Sequence, residues 1–183
     1  LVSASRAKRA ARPLIRAARI MGRPAKAELF IAFDDPYSWV GLELLEDVLK
    51  GRDVELQIFP VIERGISGDP DREDRLSYSI VDAARIAARH AKTMQRKYPV
   101  KPEIAAAAAR LAESCRGTEM MTAVCSRFLK ALWEKNEDLG EADLFSIHRE
   151  VTGRDASLQA DAMDGRLEQN RKLMLKKGHW ETP

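Results

Sequence analysis

Cysteine is scarce: Cys115 and Cys125 are the only two in 183 residues, ten positions apart in a helical stretch. Neither belongs to a Cys-x-x-Cys pair, which argues against a dithiol centre, a disulfide framework and a zinc site. They read as buried, inert thiols of a reducing compartment. The three histidines, His90, His148 and His179, lack metal-ligand spacing. His90 and His148 are expected on helix surfaces or at an interface. No apolar run approaches the length of a membrane span, and no apolar segment of signal-peptide type follows the basic start. Gly65 and Gly68 do not form a lysine-containing phosphate loop. No recognition helix or aromatic-plus-basic pattern points to nucleic acid, and the helical arginines and lysines read as solvated faces. No metal and no membrane span are expected, and the free thiols fit a cytoplasmic location.

Acidic residues are missing from positions 1–27, which hold eight basic ones. The chain as a whole carries +3, so the remainder is mildly acidic. A basic arm over 1–26 is therefore expected, with Leu14, Ile15, Ala18 and Met21 as a narrow apolar stripe. Such an arm suits a helical extension packed on its own body or a sister subunit. Nucleic acid, anionic lipid, an acidic partner or organelle targeting are the other readings. The length suffices for one domain with a real core.

The most informative segment is Phe30 to Trp39. An apolar run over about 28–33 has strand length. Asp35 is a good helix N-cap, because its carboxylate accepts a bond from an orphan N–H. Pro36 suits the first helical position, where a missing N–H costs nothing. Apolar residues then recur at helical spacing to Leu49, and Gly51 suits the position after the helix end. Positions 54–59 alternate as a second strand, so strand, helix and strand make a parallel βαβ unit. A loop from Pro60 to Arg75 follows, then helices predicted over 76–97, 102–113, 118–135, 141–152 and 161–177.

Asp35-Pro36-Tyr37-Ser38-Trp39 resembles the segment that opens the first helix in the DsbA-like thioredoxin-fold superfamily. The closest branch is that of 2-hydroxychromene-2-carboxylate isomerases and kappa-class glutathione transferases. Three further stretches resemble the same family: Tyr78 with Asp82-Ala83-Ala84-Arg85-Ile86-Ala87, Phe128 to Trp133, and Gly178 to Pro183. The resemblance implies an α/β thioredoxin-like fold with a large all-helical insertion, stopping short of the family's last two strands and final helix. It divides the chain into the arm (1–26), a first βαβ half (27–60), the insertion (61–160) and a return helix leading to the position of the family's cis-proline (161–183).

By the same resemblance the protein is a glutathione-dependent isomerase or transferase of small aromatic or electrophilic substrates. The thiolate adds to a conjugated carbon, the adduct rotates, and the thiol leaves. The implied catalytic positions are Asp35 and Ser38. Tyr37, Pro60, Trp180, Thr182 and Pro183 would line the glutathione and substrate site, and homodimerisation through the helical part is implied. The family has Ser or Cys where this chain has Asp35. Two unit charges about 4 Å apart repel by roughly 4 kcal/mol at an effective dielectric near 20, so an ionised Asp35 is a poor neighbour for a thiolate. The alternative is a thioredoxin-fold binding or structural protein without catalysis. A thiol–disulfide oxidoreductase would need a reactive cysteine at the helix start, and none is there.

Overall fold

The computed structural model describes residues 22, 24–65, 69–156 and 160–183. The basic arm expected over 1–26 lies almost wholly outside the described residues. The elements run β1 (Ala25–Ile31), α1 (Pro36–Leu49), β2 (Val54–Pro60), α2 (Arg72–Arg89), α3 (Pro102–Ser114), α4 (Met120–Trp133), α5 (Glu141–Thr152) and α6 (Ala160–Lys176).

β1 and β2 pair in parallel, with Ala25 opposite Val54 and Ile31 opposite Pro60. Strand alternation sends Leu29 and Ile31 to one face, where they join the main core with Phe33, Trp39 and Leu42. Phe30 goes to the other face and packs with Ala32, Val61 and Met174 of α6. Each large side chain buried this way contributes roughly 1.5–3 kcal/mol. α3 is buried around most of its circumference, from Ile104 to Ala112. Its run of alanines lets α4, α5, α6 and β2 all approach it closely.

Two contacts from α4 hold the end of β1. The Trp133 indole N–H donates to the Phe33 carbonyl at 3.2 Å, and the Phe128 ring meets the Phe33 ring edge-on at 5.9 Å. The Phe128–Trp133 stretch therefore braces the turn that carries Asp34 and Asp35.

The helix predicted over 76–97 is instead α2, starting at Arg72 and ending at Arg89. Its end is a Schellman motif. Ala91 turns left-handed at φ 55°, and Lys92 N–H donates to Ala87 O at 2.9 Å. Beyond it the Arg96 guanidinium is buried. It donates to the carbonyls of Tyr98, Pro99 and Glu137 and pairs with Asp138. That gathering holds the 93–101 segment out of helix.

Two further expectations are corrected. His148 is buried rather than surface-exposed, with Nε2 3.4 Å from the Cys115 sulfur. Arg96, inside the helix predicted over 76–97, is buried rather than solvated; Glu113 is also fully buried, bound by Arg116 and by Asn170 of α6. Both cysteines are free and buried, as expected. Among the described residues no helix is long and apolar enough to cross a membrane, and no cluster of metal-ligating side chains occurs.

Candidate functional site

The carboxyl ends of parallel strands are where open α/β sheets place their ligands, and here they lead into the N-terminus of α1. The chain leaves β1, turns with Asp35 N–H donating to Ala32 O at 3.1 Å, and enters α1 at Pro36. Asp35 caps the helix as predicted: its Oδ1 accepts the Tyr37 N–H at 3.2 Å. Its Oδ2 accepts two hydroxyls, Ser38 at 3.0 Å and Thr182 at 2.7 Å. The carboxyl is 4% exposed. Burial pushes its pKa above the ordinary aspartate range, against the charge of Arg64 and the donors from Thr182, Ser38 and Tyr37.

Asp35 forms part of the floor of a cavity of about 230 Å³. Tyr37 stands on one side, its hydroxyl donating to Asp82 of α2 at 2.8 Å. Burial and the Asp82 carboxylate hold that phenol well above its usual pKa. The first turns of α2 supply Arg72, Arg75 and Tyr78. Arg75 pairs with Asp69, whereas Arg72 has no acidic partner among the described residues. Glu181 and Thr182 close the site from the C-terminal segment.

Arg64, just past β2, holds the parts together. Its guanidinium lies 3.2 Å from Asp34 and 3.1 Å from Glu181. The next residue, Gly65, donates its N–H to Trp180 O at 2.7 Å with φ 78°. A side chain at Gly65 would meet the Glu181 carboxylate at 3.1 Å, so glycine is what lets the segment lie this close. The Arg64 side chain is 9% exposed, and its Nε finds no partner.

The cavity thus gathers Asp35, Tyr37 and Thr182 of the sequence-predicted site. Ser38 lies beneath it, fully buried, with its oxygen accepting the Ala32 N–H and its proton given to Asp35. Pro60 does not reach the cavity: it is buried at the end of β2, where its carbonyl accepts from Asn170 at 2.8 Å. The Trp180 ring is half exposed and does not line the cavity. Pro183 packs on α1 at Gly41, where an added Cβ would sit 3.1 Å from its ring. The Thr182–Pro183 bond is trans, since no cis peptide occurs among the described residues. Trans is the lower form of an X–Pro bond by about 0.5–1 kcal/mol, and in it the ring already rests on α1. Arg64, Arg72, Arg75 and Glu181 were not anticipated. Their one sequence signal is a cluster of arginines just after the carboxyl end of a parallel strand, masked by the acids Asp69, Asp71, Glu73 and Asp74 among them.

No protein-family profile matches the chain, and no curated protein matches it. Solved structures do. A 2-hydroxychromene-2-carboxylate isomerase superposes with a TM-score of 0.71 at 17% identity, over 86% of this chain and 83% of that one. A candidate protein disulfide isomerase from Nitrosomonas europaea superposes with a TM-score of 0.60 at 11% identity, over 85% and 80% of the two chains. At these identities the likeness establishes the fold alone: α/β, thioredoxin-like, with a helical insertion.

Proposed function

We propose that this protein is a glutathione-dependent isomerase or transferase of small aromatic or electrophilic acids, working at the N-terminus of α1. The observation that supports it most is the buried Asp35 on the floor of a cavity that carries Arg64, Arg72 and Arg75. Arg72, which has no acidic partner among the described residues, suits a substrate carboxylate, and the 2-hydroxychromene-2-carboxylate isomerase of the same fold acts, by its name, on a carboxylate. Tyr37 and Tyr78 offer aromatic faces.

Burial raises the pKa of Asp35, so its neutral form is favoured more than in a free aspartate. In its neutral form Asp35 would donate a hydrogen bond to the sulfur, as a serine hydroxyl does. The helix N-terminus adds its partial positive charge. In the reaction the thiolate forms a C–S bond to the conjugated carbon while the π pair moves to the carbonyl oxygen. The single bond so created rotates. The pair returns, the C–S bond breaks, and the thiolate leaves.

One observation favours a second reading, a binding protein without catalysis. Both oxygens of Asp35 already accept protein donors, which is also what a purely structural cap would show. Calorimetry with glutathione on the native protein and on Asp35→Ser separates the two. Binding by the native protein supports the isomerase or transferase. Binding gained only by Asp35→Ser indicates an intact fold with a blocked thiol site. No binding by either leaves a site for another ligand.

A further inference from the structure

Of the three donors that meet Asp35, one keeps bonding capacity on the cavity side. Ser38 is used up: it is fully buried, its oxygen accepts the Ala32 N–H, and its proton goes to Asp35. The Tyr37 group is a backbone N–H and can only donate. Thr182 differs. Its hydroxyl donates to Asp35 Oδ2 at 2.7 Å, and among the described residues that is the hydroxyl's one hydrogen bond. A hydroxyl also accepts through two lone pairs, and Thr182 borders the cavity. The chain on both sides of it is held. Trp180 O accepts the Gly65 N–H, Glu181 pairs with Arg64, and Pro183 rests on α1 at Gly41. The hydroxyl is thus fixed between a buried carboxylate and the cavity.

We propose that Thr182 relays the proton of the bound thiol to Asp35, so that the sulfur ionises without shedding a proton to solvent. The inference rests on the reading of the cavity as a glutathione site. As the S–H bond breaks, its proton joins the Thr182 oxygen and its electron pair stays on sulfur. As the Thr182 O–H bond breaks, that proton joins Asp35 Oδ2. The products are a thiolate, a threonine hydroxyl that donates to it, and a neutral Asp35 that donates to the threonine. One negative charge passes from the carboxylate to the sulfur and none is added. The repulsion between an ionised Asp35 and a thiolate therefore never arises. Burial of Asp35 favours its taking up the proton, against the charge of Arg64, itself paired with Asp34 and Glu181. The partial positive charge at the start of α1 favours the thiolate. Thr182 is then a catalytic residue that touches the sulfur, and Asp35 is the base behind it.

The test is calorimetry with glutathione on the full chain at neutral pH. Two buffers of different ionisation heat count the protons exchanged, and ultraviolet difference absorbance detects thiolate. A free thiol has a pKa of about 8.5, so ionising it into solvent at neutral pH would release about one proton. The wild type is expected to show thiolate absorbance and to release almost none. S-methylglutathione, which has no thiol proton to give, supplies the baseline. Thr182→Val keeps the shape and removes the hydroxyl; it should bind glutathione as the neutral thiol. Thr182→Ser should restore the thiolate signal. Three results overturn the relay alone. One is a wild-type thiolate formed with release of about one proton. Another is glutathione bound to the wild type as the neutral thiol. The third is a Thr182→Val that forms thiolate as the wild type does. The wild-type proton count needs no variant, so a misfolded Thr182→Val leaves the relay open to refutation. Absence of any glutathione binding by the wild type overturns the reading of the cavity itself, and the relay with it.

Discussion

Removing the Glu113 carboxylate should cost substantial stability. Glu113 is fully buried, and its oxygens take the Arg116 guanidinium, at 2.8 Å for Nη2, and the Asn170 amide at 3.0 Å. Asn170 in turn donates to Pro60 O and accepts from Arg116 at 2.6 Å. The group thus ties α3 to α6 and to the end of β2, just before the loop that carries Arg64. Breaking a buried ion pair from one side costs about 3–5 kcal/mol. Arg116 is 34% exposed, so it regains some water when its partner goes. The expectation for Glu113→Ala therefore lies near the lower end, about 3 kcal/mol. In a chain of this length that lowers Tm by about 6–12 °C. Urea unfolding of Glu113→Ala, Asn170→Ala and the double variant gives the coupling directly, expected at about 1–2 kcal/mol. A loss under about 1 kcal/mol for Glu113→Ala, or strict additivity in the cycle, would refute the network as described.

Asp35→Asn tests the pH dependence. The folded pKa of Asp35 is raised by burial above the ordinary 3.8, so the folded state binds this proton more tightly than the unfolded one. The stability it contributes is fully present below that value and is lost as pH rises through the folded pKa. Asp35→Asn should therefore gain stability relative to wild type as pH rises above the ordinary aspartate value of 3.8, followed by urea midpoints across a pH series. Ala91 occupies the left-handed position after α2 at φ 55°, where glycine carries no Cβ penalty. Ala91→Gly should raise stability by about 1 kcal/mol, read by the same unfolding measurement. Burial pushes the Cys115 and Cys125 thiols up in pKa, so a thiol-reactive dye should label neither in the native protein at neutral pH and both after denaturation.

The parts of the fold that sequence made legible are those governed by neighbours in the chain. Asp35-Pro36 marked the start of α1, and the Asp35 carboxylate does cap it. Gly153, left-handed at φ 68°, closes α5 at the predicted residue, and Gly178 follows α6 in the same conformation. The illegible parts depend on contacts distant in sequence. Glu113 looked like any helical acid because Asn170, its partner, lies 57 residues away. α2 was drawn too long because helix propensity continues through Lys97, while Arg96 turns inward to collect carbonyls from both sides of the 99–137 segment. The same holds at the site. Asp35, Tyr37 and Thr182, to which local pattern and resemblance pointed, share one cavity. Arg64, Arg72 and Arg75 converge only after the loop past β2 folds back over the start of α1.

The central claim is that Asp35 sits, protonated more readily than an ordinary aspartate, where glutathione sulfur would lie. Its carboxyl carbon can be titrated by NMR on protein labelled at aspartate, assigned with Asp35→Asn, with and without glutathione. The account predicts one aspartate titrating above the ordinary range, with a resonance that moves when glutathione is added. An Asp35 signal that titrates like a solvent-exposed aspartate and ignores glutathione would contradict it.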